Sequence, residues 1–190
     1  MSSGALPVTE PTDLDGPHWT FALDIYGRAG VQPACLRLQD EFGVDVNVLL
    51  ICLYGGSKLG IGIGEREVAL LDETVAAWRS EIVQPMRAIR RQLKTVSSPC
   101  LPGDLRDTVK HAELRAEQVE LAMLAESIRK LPTASAPDLR AALHAVTAYY
   151  AAQLSQPGDH ATAEAAIETL LGACSTMSSP TDAVDYPLPE

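Results

Sequence analysis

From Glu65 onward, apolar side chains return every three or four residues, at Val68, Leu71, Val75, Trp78, Ile82, Met86, Ile89, Leu93 and Val96. A period near 3.6 held for roughly nine turns lays one apolar stripe along a helical rod and excludes a strand. A second run, with Leu105, Val109, Ala112, Ala116, Val119 and Met123 and continuing to Leu131, follows after residues 97–102. So short a connection makes the two rods an antiparallel pair. The fold class expected is therefore all-α, a single-domain helical bundle of about seven helices built on that pair. Pro85 is expected to kink the first rod.

The rest of the chain supplies shorter helices. Trp19, Leu23 and Tyr26 share a face over residues 17–27, and Val31, Cys35, Leu38 and Phe42 share one over residues 31–42. Asp45 is placed to cap a third helix running to Tyr54, with Gly55 and Gly56 ending it in left-handed geometry. The β-branched Val46, Val48 and Ile51 also permit a buried strand there. Two last helices are expected over residues 137–154, with Leu139, Leu143, Val146 and Tyr150 inward, and 160–175, with Ile167, Leu170, Leu171 and Cys174 inward. The helical domain thus spans 17–175. Residues 1–16 and 176–190 carry prolines and acids without periodicity and read as disordered.

Composition narrows the function classes. A chain of 190 residues suits one core, and an aromatic content of 5% favours helices over sheets. The net charge of −10 opposes binding to a phosphate backbone, so no nucleic acid is expected as partner. The longest apolar run, residues 46–54, is far shorter than the roughly 20 residues of a spanning helix, so no membrane span is expected. No leader is readable at the start, which points to the cytoplasm. Cys35, Cys52, Cys100 and Cys174 lie far apart, and Glu-x-x-His and His-x-x-x-His pairs are absent, so neither a metal nor a cofactor is expected. Apolar surroundings should raise the thiol pKa of Cys35 and Cys52, and no catalytic residue is assigned.

Candidate site residues come from two places. Asp40, Asp45 and Asn47 adjoin the apolar run 48–54, so their polar atoms must find partners inside the fold or line a site. Arg87, Arg90, Arg91 and Lys94 form a basic stripe on an acidic protein. Guanidinium groups suit a phosphate or an acidic partner segment, while the plainer reading is a solvated face partly neutralised by Asp104, Asp107 or Glu113. The glycine-rich loop 55–64, with Lys58, precedes a helix N-terminus but lacks the Walker A order, and reads as a flexible connector. Together these suggest a network in which Asp40, Asp45 and Asn47 face Trp78, Arg79, Arg87 and Arg90 across the helix packing. It would act either as a brace or as an anion site, and the brace is favoured because polar groups near a core are normally paired.

The strings Trp19-x-Phe21-Ala22-Leu23-x-x-Tyr26, Ala34-Cys35-Leu36-x-Leu38-Gln39-Asp40, Asp45-Val46-Asn47-x-Leu49-Leu50-x-Cys52 and Pro85-Met86-Arg87-x-x-Arg90-Arg91 together resemble a bacterial family catalogued as a domain of unknown function. The resemblance spans roughly residues 19–130 and implies an all-helical fold without assigning an activity. The loop 55–64 and the chain beyond Pro132 lie outside the recognised pattern. The functional expectation is a non-catalytic adaptor or regulator that meets a protein partner through helix surfaces. The alternative is a helical small-molecule protein, or an enzyme, using Arg79, Arg87, Arg90 and Asp45 on a phosphate or carboxylate ligand. An apolar edge at Leu114, Leu121 and Ile128 would serve a homodimer, which the sequence leaves open.

Overall fold

A computed structural model describes residues 13–96 and 102–177. The segments expected to be disordered fall almost wholly outside these residues, as do Cys100 and most of the connection 97–102.

Among the described residues the chain is all-α, with helices α1 (Pro17–Tyr26), α2 (Val31–Phe42), α3 (Val46–Leu59), α4 (Glu65–Trp78), α5 (Gln84–Leu93), α6 (Leu105–Ile128), α7 (Leu139–Ala151) and α8 (His160–Ser175). Helices α4 and α5 run into each other through a single π-turn, Arg79–Val83, so the fold is one of seven rods. Helix α3 is the central one and packs on α1, α6 and α7, while α2 lies on α8 and α4 on α6 and α7. The run that left strand and helix open at residues 46–54 is helical. Val48, Leu49, Ile51, Cys52 and Leu53 are all fully buried, as an apolar helix surrounded by others must be. Each such side chain contributes roughly 1.5–3 kcal/mol on leaving water.

Three expectations about these helices are corrected. Gly55 and Gly56 do not end α3, which runs on to Leu59 and stops at Gly60 in the left-handed region at φ 68°. A Cβ on Gly55 would collide with Ile128 of α6, and one on Gly56 would lie 2.5 Å from Leu139 Cδ2 of α7. The two glycines let the central helix approach its neighbours closely, and that packing outweighs their poor helix propensity. The rest of loop 55–64 is pinned rather than free: Ile61 and Ile63 are buried, Ile61 N donates to Gly55 O, and Ala134 N donates to Gly60 O at 2.8 Å. The backbone N–H of Gly64, ahead of α4, is taken by Glu67 Oε2 at 3.0 Å, so an acid of the chain itself sits where an anion would be cradled.

The second correction concerns the long rod. Pro85 falls in the first turn of α5, and the turn before it widens, with Gln84 N donating to Arg79 O five residues back. A proline ring clashes with the carbonyl four residues earlier, here that of Glu81, and the wider turn relieves that clash. The extra residue rotates everything that follows. Val83 becomes buried while Ile89 and Val96 are 47% and 49% exposed, so the apolar stripe leaves the core halfway along the rod. Arg87 and Arg90 swing toward α6 instead of toward solvent.

The third concerns α1. Its core face is His18, Phe21, Ala22 and Ile25, with Phe21 edge-on to Tyr54 at 5.5 Å. Trp19, Leu23 and Tyr26, the apolar face read from the spacing, are only half-buried. Helix α1 is apolar on two faces, and its second face is half covered.

Candidate functional site

Two ion-pair clusters meet near the N-terminus of α3. The first is centred on Arg79, the first residue of the π-turn. Its Nη1 donates to Asp45 Oδ2 at 3.0 Å and to the Tyr150 hydroxyl at 3.3 Å, and its Nη2 donates to Asp72 Oδ1 at 2.6 Å. Asp45 uses its other oxygen as the cap of α3, accepting from Asn47 N at 2.8 Å and Val48 N at 3.1 Å. Asp72 also accepts from Tyr150 at 2.5 Å and Tyr149 at 3.1 Å. One guanidinium thus serves two carboxylates, and the surplus negative charge is met by two helix-end amides and two phenols. Burial works against the charge on Arg79, yet Asp45 and the hydrogen bond to Asp72 more than offset it and hold the group firmly protonated. Burial, with Asp45 and Asp72 beside it, pushes the Tyr150 phenol well up, so it stays a donor. Every side chain here is at most 15% exposed among Arg79, Asp45 and Asp72, which closes the cluster to any sizeable ligand.

The second cluster joins α5 to α6. Arg87 binds Glu117 through Nε and Nη2, and Arg90 binds Glu113 through Nε at 2.5 Å and Nη2 at 3.2 Å. Burial raises the Glu117 carboxyl even though Arg87 opposes the shift. The next acid on the same face of α6 is Glu120, which is fully buried. Its Oε2 accepts from Asn47 Nδ2 at 2.7 Å, and its Oε1 has no hydrogen-bond partner among the described residues. Burial, followed by the charge on Asp45, raises this carboxyl to about 8, so at neutral pH it is mostly protonated. Asn47 therefore links Asp45, at the start of α3, to Glu120 of α6.

Above the second cluster lies a half-open cleft of about 490 Å³. Its apolar wall is the outward face of α1, Trp19, Leu23 and Tyr26, extended by Leu36 of α2. Its opposite lip is the end of α5. Arg87 and Arg90 lie there with their carboxylates, whereas Arg91 and Lys94 are exposed and have no acidic partner among the described residues. Four cations face three acids, Asp40, Glu113 and Glu117, so in a chain of net charge −10 this is a locally positive site.

The residues singled out in the sequence thus fall in several places. Asp45, Asn47 and Arg79 meet in or beside the first cluster. Arg87 and Arg90 form the second and touch neither Asp45 nor Asn47 by a hydrogen bond. Asp40 is exposed on the cleft rim, with no side-chain hydrogen bond among the described residues. Trp78 stands apart from both clusters: its Nε1 donates to Ala116 O at 2.9 Å and pins α4 to α6. The basic stripe is split into two paired and two unpaired members. Leu121 and Ile128, two of the three residues of the suggested dimer edge, are buried in the core, and Leu114 lines the cleft. Sequence reasoning missed Asp72, Glu117, Glu120, Tyr149 and Tyr150 as site members. The signal was present for α6, because Glu113, Glu117 and Glu120 recur at the spacing of one helical face.

A family model described as "Protein of unknown function (DUF2390)" matches residues 17–124. The chain belongs to that family. The matched span runs from α1 into the last turns of α6, and every residue lining the cleft falls within it, as do Asp45, Asp72, Arg79 and Glu120. Tyr149 and Tyr150 of the first cluster lie beyond it. No curated protein and no solved structure matches the chain. Among the described residues no helix is long and apolar enough to cross a membrane, and no group of three or more His, Cys, Asp or Glu side chains is arranged to hold a metal ion.

Proposed function

We propose that the protein is a non-catalytic adaptor or regulator whose cleft takes an acidic, amphipathic segment of a partner protein. The observation that carries this reading is the pairing of the half-covered aromatic face of α1 with Arg91 and Lys94 on the opposite lip. An amphipathic helix seats its apolar face in such a groove and presents its flanking acids to cations at the edge. The chemistry around the cleft supports a binding role. Glu113 and Glu117 are tied to guanidinium groups, and burial pushes the Cys35 thiol up to about 12, far from a nucleophile's range. The free, buried Cys35 and Cys52 suit a reducing compartment and support placement in the cytoplasm.

The volume of the cleft also suits a small ligand with an apolar body and a carboxylate or phosphate head. Titration separates the two. The probe is a synthetic helical peptide with a Leu stripe flanked by Glu pairs four residues apart, compared with a fatty acid and with inorganic phosphate. The adaptor reading expects the peptide to bind the wild type with micromolar affinity and to lose at least tenfold on Arg91→Glu with Lys94→Glu. Binding of the fatty acid or phosphate in place of the peptide would transfer the site to the small-molecule reading.

A further inference from the structure

The last described turn of the chain is fastened to the turn that joins α1 to α2, two helices that line the cleft. After α8, the Thr176 hydroxyl accepts from Arg28 Nη1 at 2.5 Å, and the same nitrogen reaches Ala173 O at 3.4 Å. Arg28 lies in the turn between α1 and α2, two residues past Tyr26 and four before Gln32, both of which line the cleft. The sequence after Met177 therefore starts next to the α1–α2 turn, whose flanking residues Tyr26 and Gln32 line the cleft.

Thirteen residues follow, Ser-Ser-Pro-Thr-Asp-Ala-Val-Asp-Tyr-Pro-Leu-Pro-Glu. They carry three acids, Asp182, Asp185 and Glu190, no cation, and the apolar Val184, Tyr186 and Leu188 between them. That is the composition the cleft selects: apolar groups for Trp19, Leu23 and Tyr26, and acids for Arg91 and Lys94. Reach is sufficient, because eight residues from Met177 to Asp185 extend up to about 26 Å and two helix spacings across the groove are about 20 Å.

We propose that residues 178–190 act as a tethered competitor that occupies the cleft and that a partner must displace. This inference rests on the cleft being a site for acidic segments, as argued above. Tethering supplies a local concentration on the order of millimolar, so even a segment with a dissociation constant of about 100 μM would fill the cleft roughly ten to one and weaken an outside ligand by about tenfold.

The test uses the full chain throughout, at about 0.15 M salt, where exposed charges are screened beyond roughly 8 Å. One variant carries Asp182→Asn, Asp185→Asn and Glu190→Gln. A control of equal net charge carries Glu65→Gln, Glu73→Gln and Glu81→Gln, three exposed acids outside the cleft. Titrated with the Leu-Glu probe peptide, the tail variant is expected to bind about tenfold more tightly than both the wild type and the control. Equal affinity in all three chains would overturn the competitor while leaving the cleft reading intact, and equal tightening in the variant and the control would do the same. Failure of the probe to bind even the tail variant would overturn both.

Discussion

The two ion-pair clusters of this protein use the same chemistry to different ends. Around Arg79 the carboxylates of Asp45, the cap of α3, and of Asp72 on α4 accept from the guanidinium, Asp72 accepts also from Tyr149 and Tyr150 of α7, and the group is closed off. Around Arg87 and Arg90 the pairs tie only α5 to α6, and their outer edge forms the floor of a cleft. A closed ionic group fixes how helices are arranged, although well-packed apolar residues would often stabilise as much. An open one keeps charge at a surface that is half apolar, where a ligand can meet it. On the proposed reading, Arg79 is the brace and the end of α5 is the binding site.

The largest effect expected is at the brace. Arg79→Ala leaves Asp45 and Asp72 facing each other without their cation, which costs about 3–5 kcal/mol and, for a chain of this size, lowers the melting temperature by on the order of 10 °C. A fall of less than about 1 kcal/mol in chemical denaturation would remove Arg79 as the brace. Next comes Glu120. Its folded pKa of about 8 lies above the ordinary value of 4.5, so the folded state holds the proton more tightly. The stability this contributes is complete below about pH 4.5 and is lost as pH rises toward and through 8. Glu120→Gln keeps a neutral donor in place and should flatten that decline, leaving the variant more stable than the wild type at pH 9. Parallel pH profiles for the two chains would show that the carboxyl is already ionised in the fold.

The sequence made the rods legible and hid the relations between them. Periodicity placed α2 and α8 to the residue, and the short polar cap Asp45 marked where α3 begins. It could not show that Gly55 and Gly56 serve close packing, because that depends on Ile128 and Leu139 from distant helices. Nor could a 3.6-residue count anticipate the π-turn ahead of Pro85, and one inserted residue was enough to turn Arg87 and Arg90 from solvent to α6. The pairing of Asp45 with Arg79 followed from asking where a polar group beside a core finds its partner. Tyr149 and Tyr150 escaped because tyrosine serves equally as apolar filler and as a donor, and only the fold shows which end is used.

Smaller effects sharpen the same contrast. Trp78→Phe removes the bond to Ala116 O and should cost about 1 kcal/mol, with no change in peptide binding. Arg91→Glu with Lys94→Glu alters two exposed side chains and should shift stability by no more than about 0.5 kcal/mol while weakening binding of the probe at least tenfold.

The division between brace and site is tested most directly by measuring both the melting temperature and the affinity for the acidic probe peptide in Arg79→Ala and in Arg91→Glu with Lys94→Glu. The account predicts a crossed result: the first variant melts on the order of 10 °C lower and, while folded, binds within about threefold of the wild type, whereas the second melts as the wild type does and loses at least tenfold in affinity. Two variants that lose stability and binding together, or an Arg79→Ala chain that is stable and unable to bind, would contradict it.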